Sequence, residues 1–193
     1  MANSDDLKRL REETGVSLMV CKKALEEAQG DYIKALTVLK KESTKVAEKK
    51  SERVTGAGLV TSYVHGGRVG VLIEMRCETD FVSRNPAFVA LAHDVAMHVA
   101  AMNPHFLSPE NVPEEIISEM KDLFKKEVEG MGKNADIVEK ILAGKLESYL
   151  KDRCLTTQAF IKNPDLTIGE YVKESVQKFG ENITISRFTR FEI

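Results

Sequence analysis

Residues 58–77, GLVTSYVHGGRVGVLIEMRC, decide how the chain is read. β-Branched and aromatic residues crowd both sides of Gly66-Gly67, and a glycine pair suits a tight primed turn, where φ must be positive. In the second arm Val69, Val71, Ile73, Met75 and Cys77 alternate, so a strand puts all five on one face. The period-two pattern predicts an antiparallel hairpin beginning near Gly56.

Working outward toward the C-terminus, the loop ETDFVS at 78–83 sets Phe81 beside Asp80. A phenylalanine left in water forfeits roughly 1.5–3 kcal/mol of burial, so Phe81 belongs either in its own core or in another protein's. Asn85-Pro86 reads as a cap followed by proline at the first helical position. The helix it starts, PAFVALAHDVAMHVAAM at 86–102, is apolar almost all round and must be buried on more than one side or face a partner. Pro104 and Pro109 interrupt. Helices over 113–129 and 134–152, parted by Gly130 and Gly132, predict an antiparallel helical hairpin at about 113–152. A short strand is expected near Phe160-Ile161, then a helix over Leu166–Phe179 ended by Gly180, then a final strand in ENITISRFTRFEI. Helices and strands mix without regular βαβ alternation, which makes residues 56–193 an α+β core with an antiparallel sheet.

Toward the N-terminus, residues 42–55 read as a charged linker, unstructured or partly helical, lysine-rich with few large apolar residues. Residues 1–41 read as three short helices. Ser4 is expected to cap the first, with Asp5 and Asp6 in its first turn, and Thr14-Gly15 to end it. Ser17 caps the second and Gly30 closes it, with Leu18, Cys21, Leu25 and Ala28 as the inward stripe. Asp31 caps the third, whose apolar residues are Tyr32, Ile33, Leu36 and Leu39.

The 193 residues are 42% hydrophobic and 30% charged, with a net charge of −2 and a pI of about 6.1. That argues against a nucleic-acid binder driven by bulk charge. No apolar run approaches the roughly 18 residues of a membrane span, and the N-terminus carries no signal-peptide pattern. Three well-separated cysteines, Cys21, Cys77 and Cys154, fit a reducing cytosol rather than a disulfide framework. A phosphate-binding loop is absent, and TGAGLV at 55–60 lacks both the third glycine and the preceding strand of a dinucleotide loop. His93 and His98 lie about 140° apart around one helix, a poor geometry for a shared metal. Cys77, Glu78 and Asp80 lack zinc spacing. No catalytic constellation, metal site or cofactor site is expected. Met19, near Lys22 on the second helix, reads from periodicity as the edge of a small core or as an apolar contact for a partner. Phe81 poses the same choice.

Two stretches carry a family. LKRLREETGVSLMVCKKALEEAQGD at 7–31 resembles the N-terminal module of elongation factor Ts, and CETDFVSRNPAFVALA at 77–92 resembles that family's second signature, centred on Thr-Asp-Phe-Val. HGGRVGVLIE, AMHVAAMNP and RFTRFEI are also similar to family segments, so the resemblance spans nearly the whole chain. It implies a guanine-nucleotide exchange factor for the GTPase elongation factor Tu, not an enzyme, cytoplasmic, with no direct nucleic-acid or membrane partner. It implies a ubiquitin-associated-like N-terminal domain that docks through Arg11, Leu18, Met19 and Lys22. It implies that Thr79, Asp80, Phe81 and Val82 insert near the GTPase's magnesium site. Longer family members carry two core modules and this chain carries one, which implies a homodimer formed by the apolar helix or the sheet face. The alternatives are an adaptor that binds ubiquitin-like partners and works through residues 1–41 alone, an RNA-binding protein using the 40–54 lysines, and an enzyme dependent on Cys77 or Cys154.

Overall fold

A computed structural model describes residues 3–129 and 134–193. The first two helices are α1 (Ser4–Thr14) and α2 (Leu18–Glu27), and α3 is Tyr32–Lys50. Asn3 rather than Ser4 caps α1, its side chain accepting from the Asp5 N–H; the serine is the first helical residue. Ser17 and Asp31 cap α2 and α3 as expected. The three helices enclose a small core of Leu10, Val16, Cys21, Ala24, Leu25, Ala28, Ala35 and Leu39. Leu18, expected on the inward stripe of α2, faces out, as does Ile33 of α3, and Ala24 and Ala35 take the inner positions. Alanines fit where helices approach closely, and a larger residue there would overpack the site.

The charged stretch at 42–55 is not a separate connector throughout, because α3 runs unbroken through it to Lys50. Its inner side is the reason. Ser43 is buried, and Val46 and Ala47 pack against the main core. Lys45 and Lys49 are solvated on the other side of a helix that is amphipathic.

The main core is α+β. β1 (Ala57–His65) and β2 (Val69–Cys77) form the hairpin, with Ala57 opposite Cys77 and His65 opposite Val69. Gly66 and Gly67 have φ of 56° and 69°, and the Arg68 N–H closes the turn on the His65 carbonyl at 3.0 Å. There follow one helical turn, α4 (Asp80–Ser83), and the long α5 (Pro86–Met102), capped by Asn85 with proline in its first turn. α6 (Glu114–Glu129) and α7 (Ala135–Arg153) pack antiparallel, tied by Lys145 to Glu127 and by the Phe124 and Tyr149 rings. The break expected at Gly130 and Gly132 lies outside the described residues. β3 (Ala159–Phe160) and β4 (Asn163–Thr167) make a small second sheet. α8 (Ile168–Phe179) starts two residues later than expected, since Leu166 and Thr167 belong to the end of β4 and Thr167 also caps the helix in a reciprocal box with Glu170. β5 (Ile183–Glu192) pairs antiparallel with β2, giving the order β1-β2-β5.

One sheet face is covered. Val71, Ile73, Met75, Cys77, Ile183 and Ile185 are buried with Phe88, Leu91, Val95 and Val99 of α5 and Val176 of α8. A bulge in β5 keeps the pattern: Ile185 opposes Met75 and Arg187 opposes Glu74, so Ser186 is an extra residue that lets Phe188 face inward beside Ile73. The other face is open, with Val60, Val64, Leu72 and Phe191 exposed.

Candidate functional site

Thr79 has extended backbone, φ −128° and ψ 155°, and the next residue begins α4. Within that single turn the Ser83 N–H donates to the Thr79 carbonyl and the Arg84 N–H to the Asp80 carbonyl, both at 3.2 Å. The turn splits its side chains. Val82 is 4% exposed and joins the main core, Ser83 is buried and its hydroxyl donates to the Asp80 carbonyl at 3.0 Å, and Phe81 is 83% exposed. Phe81 therefore does not fold back into its own core. Asp80 lies beside it in solvent, with Arg84 at 3.8 Å as a loose surface partner. Of the four residues expected at this site, Asp80 and Phe81 present side chains outward. Val82 is the root of the turn, and Thr79 is its cap.

The turn is held from beneath and from one side. The Cys77 thiol donates to the Thr79 carbonyl at 3.3 Å. The Glu181 carboxylate, just past the end of α8, accepts from the Glu78 N–H at 3.1 Å, the Thr79 N–H at 3.0 Å and the Thr79 hydroxyl at 2.6 Å. Next to it, the Asn182 N–H donates to Glu78 at 2.6 Å, and the Asn182 amide donates to the Ser51 and Arg53 carbonyls at 3.2 and 2.9 Å. The bond from Asn182, with Arg53 at 3.5 Å assisting, holds the Glu78 carboxyl below the usual range. Lys50, at the end of α3, donates to the Gly180 carbonyl at 2.6 Å. Glu181 and Asn182 escaped the sequence reading. They follow a helix-ending glycine and lie about a hundred residues from their partners, so no local pattern marks them.

On the N-terminal helices Arg11, Leu18, Met19 and Lys22 are all exposed, Met19 at 77%. Leu18, Met19 and Lys22 share the outward side of the first turns of α2, and Lys22 reaches Glu26 at 3.8 Å. An apolar pair flanked by lysines is suited to a protein partner whose surface is apolar with acidic neighbours.

Chemistry is sparse elsewhere. Among the described residues no group of three or more histidines, cysteines and carboxylates is placed to hold a metal. His98 is buried with both ring nitrogens engaged: Nε2–H donates to Gln158 at 3.0 Å and Nδ1 accepts from the Ile161 N–H at 3.4 Å. Burial pushes its pKa down. Cys21, Cys77 and Cys154 are buried free thiols, and burial pushes each pKa up, away from the reactive thiolate. No helix among the described residues is long and apolar enough to cross a membrane.

Phe81 and the Leu18–Met19 pair are thus two outward apolar surfaces of the kind a protein partner covers. A family model described as Elongation factor TS matches residues 13–193. The chain belongs to the elongation factor Ts family. It is 45% identical to elongation factor Ts of Carboxydothermus hydrogenoformans over 194 aligned positions, covering 100% of this chain and 89% of that one. It is 44% identical to elongation factor Ts of Thermodesulfovibrio yellowstonii, covering 97% and 94%, and 46% identical to that of Pseudothermotoga lettingae, covering 98% and 96%. As a member of the elongation factor Ts family, the chain is a translation elongation factor. Of the two signatures that resemble elongation factor Ts, the first contains the exposed Leu18-Met19 pair and the second the exposed Phe81, each beside core residues such as Leu25 and Phe88.

Proposed function

We propose that this protein binds elongation factor Tu in its GDP state and promotes GDP release, so that GTP can reload the GTPase during elongation in the cytoplasm. The observation that carries the reading is Phe81, 83% exposed on a turn rooted by the buried Val82 and held at its edge by Glu181. A large aromatic held in water is stabilised only when a partner covers it. On this reading Phe81 enters an apolar slot in the GTPase, Asp80 accompanies it, and the groups around the magnesium ion and β-phosphate shift. GDP then loses its metal bridge and its backbone cradle. The factor favours the nucleotide-free state over the GDP state, and that difference in affinity is the whole of its action. No bond is made or broken, so no catalytic residue and no cofactor is required. Arg11, Leu18, Met19 and Lys22 supply the separate docking contact.

The same reading makes the protein a homodimer through the open sheet face. α5 is already covered by the sheet and α8, which leaves Val60, Val64, Leu72 and Phe191 as the apolar surface available to a second copy. An adaptor working through the N-terminal helices alone gives Phe81 nothing to do. The test is stopped-flow release of a fluorescent GDP from elongation factor Tu. Acceleration that saturates with added protein is the expected result, and release at the unassisted rate overturns the reading.

A further inference from the structure

α4 is four residues long and has only two backbone hydrogen bonds of its own. So short a turn does not hold itself, because nucleation costs more than one or two bonds return. Phe81 contributes nothing to fixing it, being almost wholly outside. Val82 and Ser83 root the turn in the core and the Cys77 thiol meets the Thr79 carbonyl from beneath, yet neither engages the free N–H groups at the turn's N-terminal edge. The constraint on that edge comes from Glu181, whose two oxygens take three donors from Glu78 and Thr79 at 3.1, 3.0 and 2.6 Å. Two of these donors are backbone N–H groups at the N-terminal edge of the turn, which no helical bond satisfies. Hydrogen bonds to an ionised acceptor are roughly twice as strong as neutral ones. The neighbouring Asn182 ties the same junction to the end of α3. The carboxylate therefore bears on a frame rather than on a loose loop.

We propose that Glu181 is the positioning residue for the Phe81 turn: by fixing the turn's N-terminal edge it holds the aromatic ring ready for a partner. This rests on the exchange reading for its consequence, though not for its geometry. Pre-ordering lowers the cost of immobilising the turn on binding. It acts on GDP release within the complex rather than on docking, which the α2 contacts supply.

The test uses the full-length protein with Glu181→Ala and Glu181→Gln. The glutamine keeps a carbonyl oxygen for the two N–H donors and turns its amide toward the Thr79 hydroxyl, so it rescues a positioning role. Backbone amide exchange is followed by NMR at Ser83 and Arg84, whose bonds lie inside the turn and do not involve Glu181, with Ile73 as the core reference. Glu181→Ala is expected to speed exchange at Ser83 and Arg84 at least about tenfold with Ile73 unchanged, while Glu181→Gln leaves all three protected. In GDP release from elongation factor Tu, Glu181→Ala is expected to lower the maximal rate by about 10- to 100-fold, with the half-saturating concentration held within about threefold. Unchanged exchange at Ser83 and Arg84 in Glu181→Ala overturns the proposal whatever the release assay gives. So does an equal loss of maximal rate in the alanine and glutamine variants. If unaltered protein does not accelerate release, the exchange reading falls and the amide comparison alone decides the anchor. Should Glu181→Ala also deprotect Ile73, Glu181→Asp keeps the charge but draws the carboxylate back from its three donors by one methylene, and the same comparison of Ser83, Arg84 and Ile73 applies to it.

Discussion

Replacing Phe81 with alanine separates folding from function more cleanly than any other change in this chain. An aromatic side chain has about 150–250 Å² to bury, and with 83% of Phe81 outside, roughly 120–200 Å² awaits a partner. At about 25 cal/mol per Å² that area corresponds to about 3–5 kcal/mol. Alanine retains Cβ, and ordering the ring in the complex costs about 0.5–1.5 kcal/mol, so the net loss is about 2–3 kcal/mol. If that energy is realised in the complex from which GDP leaves, release slows by about 30- to 150-fold, at 1.4 kcal/mol for each tenfold. The fold itself should not notice. No core contact is removed, and a surface change of this kind shifts stability by about 0.5 kcal/mol or less. The assay is stopped-flow release of fluorescent GDP across a concentration series, paired with urea melts of both proteins. A variant that folds normally and still accelerates release within threefold of the parent refutes the wedge. A variant that loses several kcal/mol of stability refutes the placement of Phe81 outside the core.

Met19→Ala should raise the half-saturating concentration about fivefold and leave the maximal release rate unchanged, since it trims a docking contact of about 1 kcal/mol; a fall in the maximal rate alone would contradict separate roles for the two contacts. Leu72→Lys and Phe191→Glu should each give monomers in sedimentation velocity at micromolar concentration where the parent is a dimer, and a monomeric parent removes the sheet-face interface. His98 is held neutral in the fold, so below pH about 6.5 the unfolded chain takes up a proton that the fold refuses. Stability present above that pH is lost as pH falls toward the depressed folded pKa, by up to about 1.4 kcal/mol per unit. Urea melts of the parent and of His98→Asn over pH 5–8 should differ in slope only there, and parallel profiles exclude the effect. Gly58→Ala should destabilise by about 2 kcal/mol or more, because its Cβ would lie 2.3 Å from the Met75 carbonyl oxygen, and a neutral melt would show that the β1–β2 approach relaxes easily.

The elements with local causes were legible in the sequence. Ser17, Asp31, Asn85 and Gly180 act within four residues of themselves, and the Gly66-Gly67 turn is a matter of backbone angles at two positions. What failed to show had distant causes. Leu18 and Leu25 look alike as members of a period-3.6 stripe, and only the arrival of α1 and α3 on the same side of α2 decides that one is exposed and the other buried. The stretch after residue 41 looks like a linker by composition. It is helical because Ser43, Val46 and Ala47 meet the main core along its inner side, a contact that composition does not record.

The site shows the same division more sharply. Asp80 and Phe81 were visible as an odd pairing of an acid with a bulky aromatic, and the periodicity could not say which way the ring points. Its direction follows from Val82. A single helical turn sets successive side chains about 100° apart, so burying Val82 and Ser83 sends Phe81 outward. The chain thus spends one buried valine to expose one phenylalanine. The carboxylate that steadies the arrangement sits at the α8–β5 junction, where the end of α3 is also fastened through Lys50 and Asn182. The helix that carries the N-terminal module and the turn that carries Phe81 therefore end on the same three residues, Gly180, Glu181 and Asn182. On the proposed exchange reading the two partner contacts are held in a fixed relation, and these three residues set it.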